Sequence, residues 1–120
     1  FEKTRKAIDG LSKAATTATK SLLNRVNDIR LSSLEIQFIN RQLIALEKSF
    51  IDQKGMYYGD WFKSIYASSD PFSGYASWIL PGIEYELAIK RTKKLKEWDN
   101  RYAKAIADLA QKMSKMSEKY

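Results

Sequence analysis

Glycine and proline are concentrated in one central segment of the chain, and their positions limit where long helices can form. Of the 120 residues, four of the five glycines and both prolines lie between Gly55 and Gly82. Proline lacks a backbone hydrogen-bond donor and glycine lowers helix stability, so neither residue favours a continuous helix. The segments on either side contain no proline and, apart from Gly10, no glycine. The sequence therefore predicts long helices at both ends and an irregular connection between them.

The segment from Glu2 to about Arg25 has the apolar spacing of an amphipathic helix. Its apolar residues recur every three or four positions, which places them on one face. Several are alanines, so a neighbouring helix can approach closely. Gly10 lowers the stability of the helix interior by about 1 kcal/mol. The predicted inner face consists of Ile8, Leu11, Ala15, Ala18 and Leu22.

A second helix is predicted from Leu31 to Phe50. Ser32 or Ser33 can cap its N-terminus, because a side-chain hydroxyl accepts a hydrogen bond from an unpaired backbone N–H of the first turn. The apolar face is wide, which is typical of a helix buried on two sides. Its residues are Ile36, Ile39, Leu43, Leu46 and Phe50, flanked by Leu34 and Phe38.

Residues 51–80 form the predicted long connection. The segment shows no helical period and is rich in aromatic residues. A connection of this length is uncommon in a small domain and is often functional. We expect a short helix over residues 61–66 and turns at Asp70-Pro71 and Ser73-Gly74. We interpret the aromatic side chains as anchors that pack on the helices, with the lining of a ligand pocket as the alternative.

Pro81 and Gly82 predict the start of a third helix, because proline suits the first helical position. No proline or glycine separates it from a fourth helix, so the two are either distinct helices or one bent helix. We therefore predict an all-α fold, a four-helix bundle with antiparallel neighbours and a long ordered loop between the second and third helices. The apolar face of the fourth helix consists of Trp98, Tyr102, Ala105, Leu109, Met113 and Met116.

The absence of cysteine and histidine excludes several kinds of chemistry. Disulfides, Cys/His zinc sites, thiol nucleophiles and imidazole acid–base catalysis all need one of these residues. The loop carboxylates Asp52, Asp60 and Asp70 are scattered, and we interpret them as turn caps. A metal site made of carboxylates alone is not excluded, but we predict no catalytic residue, metal or cofactor. No stretch reaches the roughly 20 apolar residues that cross a bilayer, so we expect no direct membrane insertion.

The chain carries a net charge of +7, which is divided between its two ends. Five cations lie within residues 90–96, a pattern that suits phosphate or anionic lipid. Glu84, Glu86, Glu97 and Asp99 flank this run and dilute its field. We therefore favour a solvated helix end and expect no nucleic-acid partner. The alternative function is a basic helical adaptor that binds acidic partners, anionic membrane or nucleic acid.

Several motifs between residues 40 and 90 resemble one family, in the same order along the chain. Asn-Arg-Gln-Leu at 40–43, Leu-Glu-Lys-Ser-Phe-Ile-Asp at 46–52 and Gly55 are similar to the family's asparagine, Gln-Leu, Leu-Glu-Arg-Ala-Phe-Ile-Asp and glycine. Trp-Phe at 61–62, Ile-Tyr-Ala-Ser-Ser at 65–69, and Tyr75-Ala76 followed by Leu-Pro-Gly-Ile at 80–83 also resemble it. The family is the transferrin-receptor-like dimerisation domain, the C-terminal helical domain of glutamate carboxypeptidases and transferrin receptors.

The resemblance implies a fold, a role and a parent protein. The fold is a four-helix bundle with a long insertion after its second helix, and the role is homodimerisation. In the family this domain follows a zinc-peptidase-like domain, which holds two zinc ions, in a type II membrane protein that faces the lumen or the cell exterior. We expect residues 1–120 to be one domain of such a protein, active or inactive as a peptidase, in vesicular or vacuolar trafficking. The start at Phe1 rather than Met fits a fragment. Without histidine this piece is not an enzyme by itself.

The resemblance also indicates candidate site residues. In glutamate carboxypeptidases a Lys-Tyr pair in this loop holds the terminal carboxylate of the substrate. Tyr75 matches the tyrosine, whereas Gly74 stands at the lysine position, so we favour a structural role for Tyr75 over a place in the parent's substrate cleft. Sequence does not separate core faces from interface faces, because both contain Leu, Ile and Ala. The candidate dimer-interface residues are Ile36, Ile39, Leu43, Leu46, Trp98 and Tyr102.

Overall fold

A computed structural model describes residues 1–27 and 30–119 of the chain. Within these residues the chain is mostly helical, as predicted, and forms an elongated body of 55 × 29 × 21 Å. A small antiparallel hairpin, which the sequence did not predict, lies between the second and third helices. The elements in chain order are α1 (Glu2–Val26), α2 (Ser33–Leu46), a 3₁₀ turn (Glu47–Phe50), β1 (Ala67–Ser69), β2 (Ser77–Ile79), α3 (Pro81–Ala88) and α4 (Leu95–Lys119).

Helices α1 and α4 pack side by side and run in the same direction. At one end, the backbone N–H of Thr4 donates a hydrogen bond to the carboxylate of Asp99 at 2.9 Å. Further along both helices, Ala14 in α1 lines one surface depression with Ser114 in α4. The contacts therefore advance along both helices together, which makes the pair parallel.

Helix α2 runs along α4 in the opposite direction. The ammonium of Lys112 donates to the backbone carbonyl of Ala45 at 3.4 Å. Further toward the end of α4, the ammonium of Lys119 lies 3.6 Å from the ring centroid of Phe38. As the residue number increases along α4, the residue number of its partner in α2 decreases, so these two helices are antiparallel.

The predicted four-helix bundle is not confirmed. Helices α1 and α4 have 25 residues each, but α3 has only eight and cannot run along their length. The chain therefore enters α4 at the end of the molecule where α1 begins. This is why α4 is parallel to α1 and not antiparallel to it. The three longer helices form the body, and α3 with the loop covers one end.

The inner face of α1 consists of small residues. Ala14 and Ala18 are buried, and α4 is the helix that packs along α1. Ile8, which the spacing placed on this face, is exposed, because the buried face is rotated toward Ala14. Gly10 does not interrupt the helix. Small side chains at the contact allow the two backbones to approach closely.

The N-termini of α1 and α2 are both capped by a side chain. Ser32 caps α2, as predicted, and its hydroxyl accepts a hydrogen bond from the backbone N–H of Glu35 at 3.2 Å. Helix α1 has no cap of its own, and Asp99 of α4 supplies one by accepting from the backbone N–H groups of Lys3 and Thr4. Hydrogen bonding from Thr4 lowers the pKa of Asp99. The same contact sets the register of α1 against α4.

The connection after α2 is ordered by backbone pairing across the loop. The N–H of Ile65 donates to the carbonyl of Phe50 at 2.9 Å, and the N–H of Asp52 donates to the carbonyl of Lys63 at 2.7 Å. The helix predicted over residues 61–66 does not form, because part of its backbone pairs with residues 50–52 instead.

Helix α3 begins at Pro81, as predicted, and ends before α4 starts. Lys90 has a φ of 54°, a left-handed conformation that an α-helix cannot contain, so α3 and α4 are distinct helices. The buried carboxylate of Glu86 accepts two hydrogen bonds from the guanidinium of Arg91, at 2.5 and 2.6 Å. This pair holds the turn between the two helices.

The largest buried side chains lie where the loop, α3 and the first half of α4 meet. We call this region, residues 47–106, the loop end. Trp98 and Tyr102 are fully buried there beside Ile65. Gly82 packs against the Trp98 ring so closely that a Cβ would overlap it. The N–H of Gly82 donates to the hydroxyl of Tyr102 at 3.0 Å.

Candidate dimer interface on helix α2

Helix α2 presents an apolar face to solvent. Of its residues, all of which the structure describes, only Ile39 is buried. Ile36, Leu43 and Ile44 are exposed, and Ile44 has 63% of its surface accessible. Their spacing places them on one side of the helix. This helix, predicted to be buried on two sides, thus has more apolar surface than the fold of one chain uses.

Further exposed apolar residues lie at the end of α1 and on a different side of α2. The end of α1 exposes Leu23 and Val26, and the first half of α2 exposes Leu34 and Phe38. Monomeric soluble proteins rarely expose a large contiguous apolar patch without a binding function. We call this region the helical arm, and it comprises residues 11–26, 33–46 and 107–119.

The structure divides the predicted interface residues into an exposed group and a buried group. Ile36 and Leu43 are exposed on α2, and Leu46 is half-buried. Ile39, in contrast, is buried within the chain. The remaining two lie in the core of the loop end, where α3 covers them and a second chain has no access. These two are Trp98 and Tyr102.

An apolar groove lies at the C-terminal end of α2. Its volume is about 740 Å³, and it is bounded by α2, the 3₁₀ turn, the loop and α4. Because Leu46 belongs to both α2 and the groove, the groove continues the apolar surface of the arm toward α4. Its apolar lining consists of Leu46, Phe50, Ile51, Tyr66, Leu109 and Met113.

Tyr75, the candidate cleft residue, lies at the tip of the β1–β2 hairpin and is 96% exposed. The turn predicted at Asp70 is present. The carboxylate of Asp70 accepts hydrogen bonds from the N–H of Phe72 at 2.7 Å and the hydroxyl of Ser73 at 3.0 Å. Gly74 has a φ of 78°, which favours glycine. The tip is therefore a defined turn that presents Tyr75 to solvent.

Four aromatic rings attach the hairpin to α3 and to the loop. Phe72 and Trp78 of the hairpin contact Tyr58 of the loop and Tyr85 of α3, with ring centroids 5.0 to 6.3 Å apart. Each ring contacts two of the others, mostly in the tilted and edge-to-face arrangements that aromatic pairs prefer. These loop aromatics are anchors, and they hold the hairpin in one position.

Two of the five cations in residues 90–96 are used inside the chain. Arg91 binds the buried Glu86, and the Lys94 ammonium lies 3.8 Å from Glu97 and 5.2 Å from the ring centroid of Tyr57. This internal use favours a structural interpretation of the run over an anion-binding site. The exposed part of the run consists of Lys90, Lys93 and Lys96.

Ion pairs connect the loop to the start of α4. Glu97 accepts hydrogen bonds from the Tyr57 hydroxyl and the Lys54 ammonium, which lower the pKa of Glu97. Burial and the bond to Glu97 raise the pKa of Tyr57 to about 12. The Arg101 guanidinium donates to Asp52 at 2.9 Å. Burial by itself raises the pKa of Asp52, but this bond and others lower it overall.

The loop carboxylates serve turns and ion pairs. Asp52 also accepts a hydrogen bond from the backbone N–H of Lys54 at 2.9 Å, so Asp52 and Asp70 cap turns as predicted. Within residues 1–27 and 30–119, no group of three or more carboxylates is placed to hold a metal ion. No helix in the described part of the chain has the length and apolarity needed to cross a bilayer.

Two features escaped the sequence analysis. Ile44 is the most exposed of the three outer-face residues of α2. It lies one position after Leu43 and was not among the residues assigned to the predicted apolar face of this helix. The sequence feature that could have indicated it is the position of Ile44 directly after Leu43, because a second apolar residue there widens the apolar face. The hairpin strands have three residues each and contain serines, so no alternating pattern indicated them.

Comparison with known proteins agrees with this geometry. The transferrin receptor-like dimerisation domain matches residues 1–114 of the 120. Comparison with curated proteins and with solved structures gave no match. The match includes α2, the loop and most of α4, and it supports a role in dimerisation. The chain belongs to the transferrin receptor-like dimerisation domain family.

Proposed function

We propose that the chain is a homodimerisation domain and that the exposed face of α2 packs on a second copy. The observation that carries this proposal is the exposed apolar surface of the helical arm, centred on Ile36, Leu43 and Ile44. A helix with this composition is stable in water when its apolar face is covered. A family named for dimerisation supports a second copy of the chain as the cover.

The exposed side chains are large enough to contribute substantially to association. Complete burial of an Ile or Leu side chain contributes about 1.5–3 kcal/mol relative to exposure. In a two-fold symmetric interface each residue is buried twice, once in each copy. Ile36, Leu43 and Ile44 therefore supply a central apolar cluster of the kind that dominates binding energy in interfaces.

The test is the mass of the chain in solution over a concentration series, measured by sedimentation equilibrium. We expect a mass near twice 13.9 kDa at high concentration. Ile44→Glu places a charge in the proposed interface and should weaken association about 100-fold or more. The matched control is Leu87→Glu on α3, because Leu87 is 61% exposed and Ile44 is 63% exposed. The control should leave association unchanged.

Two results would contradict the proposal. One is a mass of 13.9 kDa at every concentration, and the other is equal weakening by Ile44→Glu and Leu87→Glu. A monomer that binds anionic vesicles or RNA in low salt would instead favour the basic adaptor. The ion pairs of Arg91 and Lys94 with Glu86 and Glu97 argue against that function, because they reduce the positive charge of residues 90–96 that can attract an anionic partner.

We further propose that the chain is one domain of a larger glutamate-carboxypeptidase-like or transferrin-receptor-like membrane protein. Its partner within that protein is a zinc-peptidase-like domain, and its place is the lumenal or extracellular side. The motif resemblance in residues 40–83 supports this parent. Tyr75, on its structured hairpin tip, has the exposure needed to reach a neighbouring domain and help close a cleft. Protease protection of this domain in sealed vesicles of the parent organism tests the location, and digestion without detergent would contradict it.

A further inference from the structure

Asn40 lies at the centre of the exposed apolar face of α2. Ile36 precedes it by four positions, Leu43 follows by three and Ile44 by four, so all lie on the same side of the helix. Asn40 is exposed, and its side chain makes no hydrogen bond within the described part of the chain. An amide in the middle of an apolar interface is costly unless it is hydrogen-bonded there. Its position therefore constrains how the face can be covered.

Ile36 and Ile44 lie symmetrically about Asn40, four positions before it and four positions after it. Two α2 helices that pack antiparallel, with a two-fold axis through Asn40, place Ile36 of each copy opposite Ile44 of the other. The two Asn40 residues then meet each other and the isoleucines meet each other, whereas Leu43 lies opposite Gln37 of the other copy. A shift of the register by one helical turn breaks both matches, because it places each amide against an isoleucine.

We propose that Asn40 lies on the two-fold axis of the dimer and pairs with its own counterpart, so that it sets the antiparallel register of the two α2 helices. A carboxamide is suited to this role because it both donates and accepts hydrogen bonds, so two identical groups satisfy each other. A single buried asparagine specifies register and oligomeric state in coiled coils for the same reason. This inference rests on the proposed homodimer and adds its geometry.

Cysteine cross-linking tests the axis directly, because the chain contains no cysteine of its own. A disulfide needs Cα atoms within about 7 Å, which a residue on a two-fold axis meets with its own counterpart. We expect Asn40→Cys to form a disulfide-linked dimer under mild oxidation in most of the sample. The matched control is Arg41→Cys, since the next position points about 100° around the helix. It should cross-link only at background level.

A second pair of variants tests the register. Residues 36 of the two copies are separated by eight helical positions, or about 12 Å along the axis, so neither Ile36→Cys nor Ile44→Cys should cross-link with itself. A mixture of the two variants should cross-link between chains, at a concentration where association persists. Because these positions are exposed, the variants should fold as the unmodified chain does. Circular dichroism can verify this.

The outcomes separate this inference from the proposed function. If the unmodified chain dimerises but Arg41→Cys cross-links as well as Asn40→Cys, the axis is wrong and the dimer stands. Cross-linking of Ile36→Cys with itself would overturn the register in the same way. If the unmodified chain stays at 13.9 kDa throughout, the homodimer fails and the inference fails with it.

Discussion

The loop end and the helical arm differ in which apolar side chains they bury and which they expose to solvent. The loop end buries Trp98, Tyr102 and Ile65 in a core formed by the loop, α3 and the first half of α4. The helical arm buries mainly small residues of α1, together with Ile39 and Met116, and exposes the outer face of α2. The loop end also exposes apolar residues, but they lie in the loop, on the hairpin and, as Leu87 does, singly on α3 rather than along one helix face.

This difference separates stability from association. Side chains as large as Trp98 exclude water completely in the loop end, so that region supplies most of the hydrophobic free energy of folding. The arm places large apolar residues where only another molecule can cover them. The chain therefore folds around its irregular half and, in our proposal, assembles through its regular half.

Trp98→Ala is the change that should separate the two regions most clearly. Replacing a fully buried tryptophan by alanine typically costs about 3–5 kcal/mol in the free energy of unfolding. The matched control is Trp61→Ala in the loop of the same region, because Trp61 is 72% exposed. We expect the control to cost less than about 1 kcal/mol. Urea denaturation followed by circular dichroism measures both values, and equal losses would show that the loop end is not the main core.

Asp52→Asn tests the ion pair between the loop and α4. Because its carboxylate is partly exposed, we expect a loss of about 1–2 kcal/mol in the free energy of unfolding at neutral pH. The folded state lowers the pKa of Asp52, so this stabilisation is complete above about pH 5 and is lost as the pH falls through the folded pKa. The difference between the two proteins should therefore shrink in acid. A difference that is independent of pH between neutral and strongly acidic solution would exclude the charge as its cause.

Tyr75→Ala should have the smallest effect. The side chain contributes no buried surface, and the turn below it is held by Asp70 and Gly74. We expect a change within about 0.5 kcal/mol in the free energy of unfolding and no change in the solution mass. Thermal unfolding and sedimentation provide these two measurements. A large loss of stability would mean that the hairpin tip is part of the core after all.

Local patterns were sufficient to predict several elements. The apolar spacing predicted α1, α2 and α4, Ser32 was one of the two predicted caps, and Pro81 predicted the start of α3. These features depend on contacts within a few residues along the chain. The turn at Asp70 is of the same kind, because a carboxylate that accepts a nearby backbone N–H needs no distant partner.

The candidate interface was only partly predictable. Ile36, Leu43, Trp98 and Tyr102 look alike as a list of large apolar or aromatic residues on predicted helices. The structure separates them because Gly82 brings α3 onto the Trp98 ring, while no element of the chain covers the outer face of α2 within the described residues. Burial is a property of what lies opposite a side chain, and sequence spacing does not contain it.

The sequence by itself determined that the chain is mainly helical, where its long connection lies, and which chemistry is impossible without cysteine and histidine. Tertiary structure decided the parallel direction of α1 and α4, the hairpin, and the division of apolar residues between core and surface. The physical reason is the range of the interactions. Helix periods and caps arise between neighbouring residues, whereas the cap that Asp99 provides for Thr4 joins groups 95 positions apart.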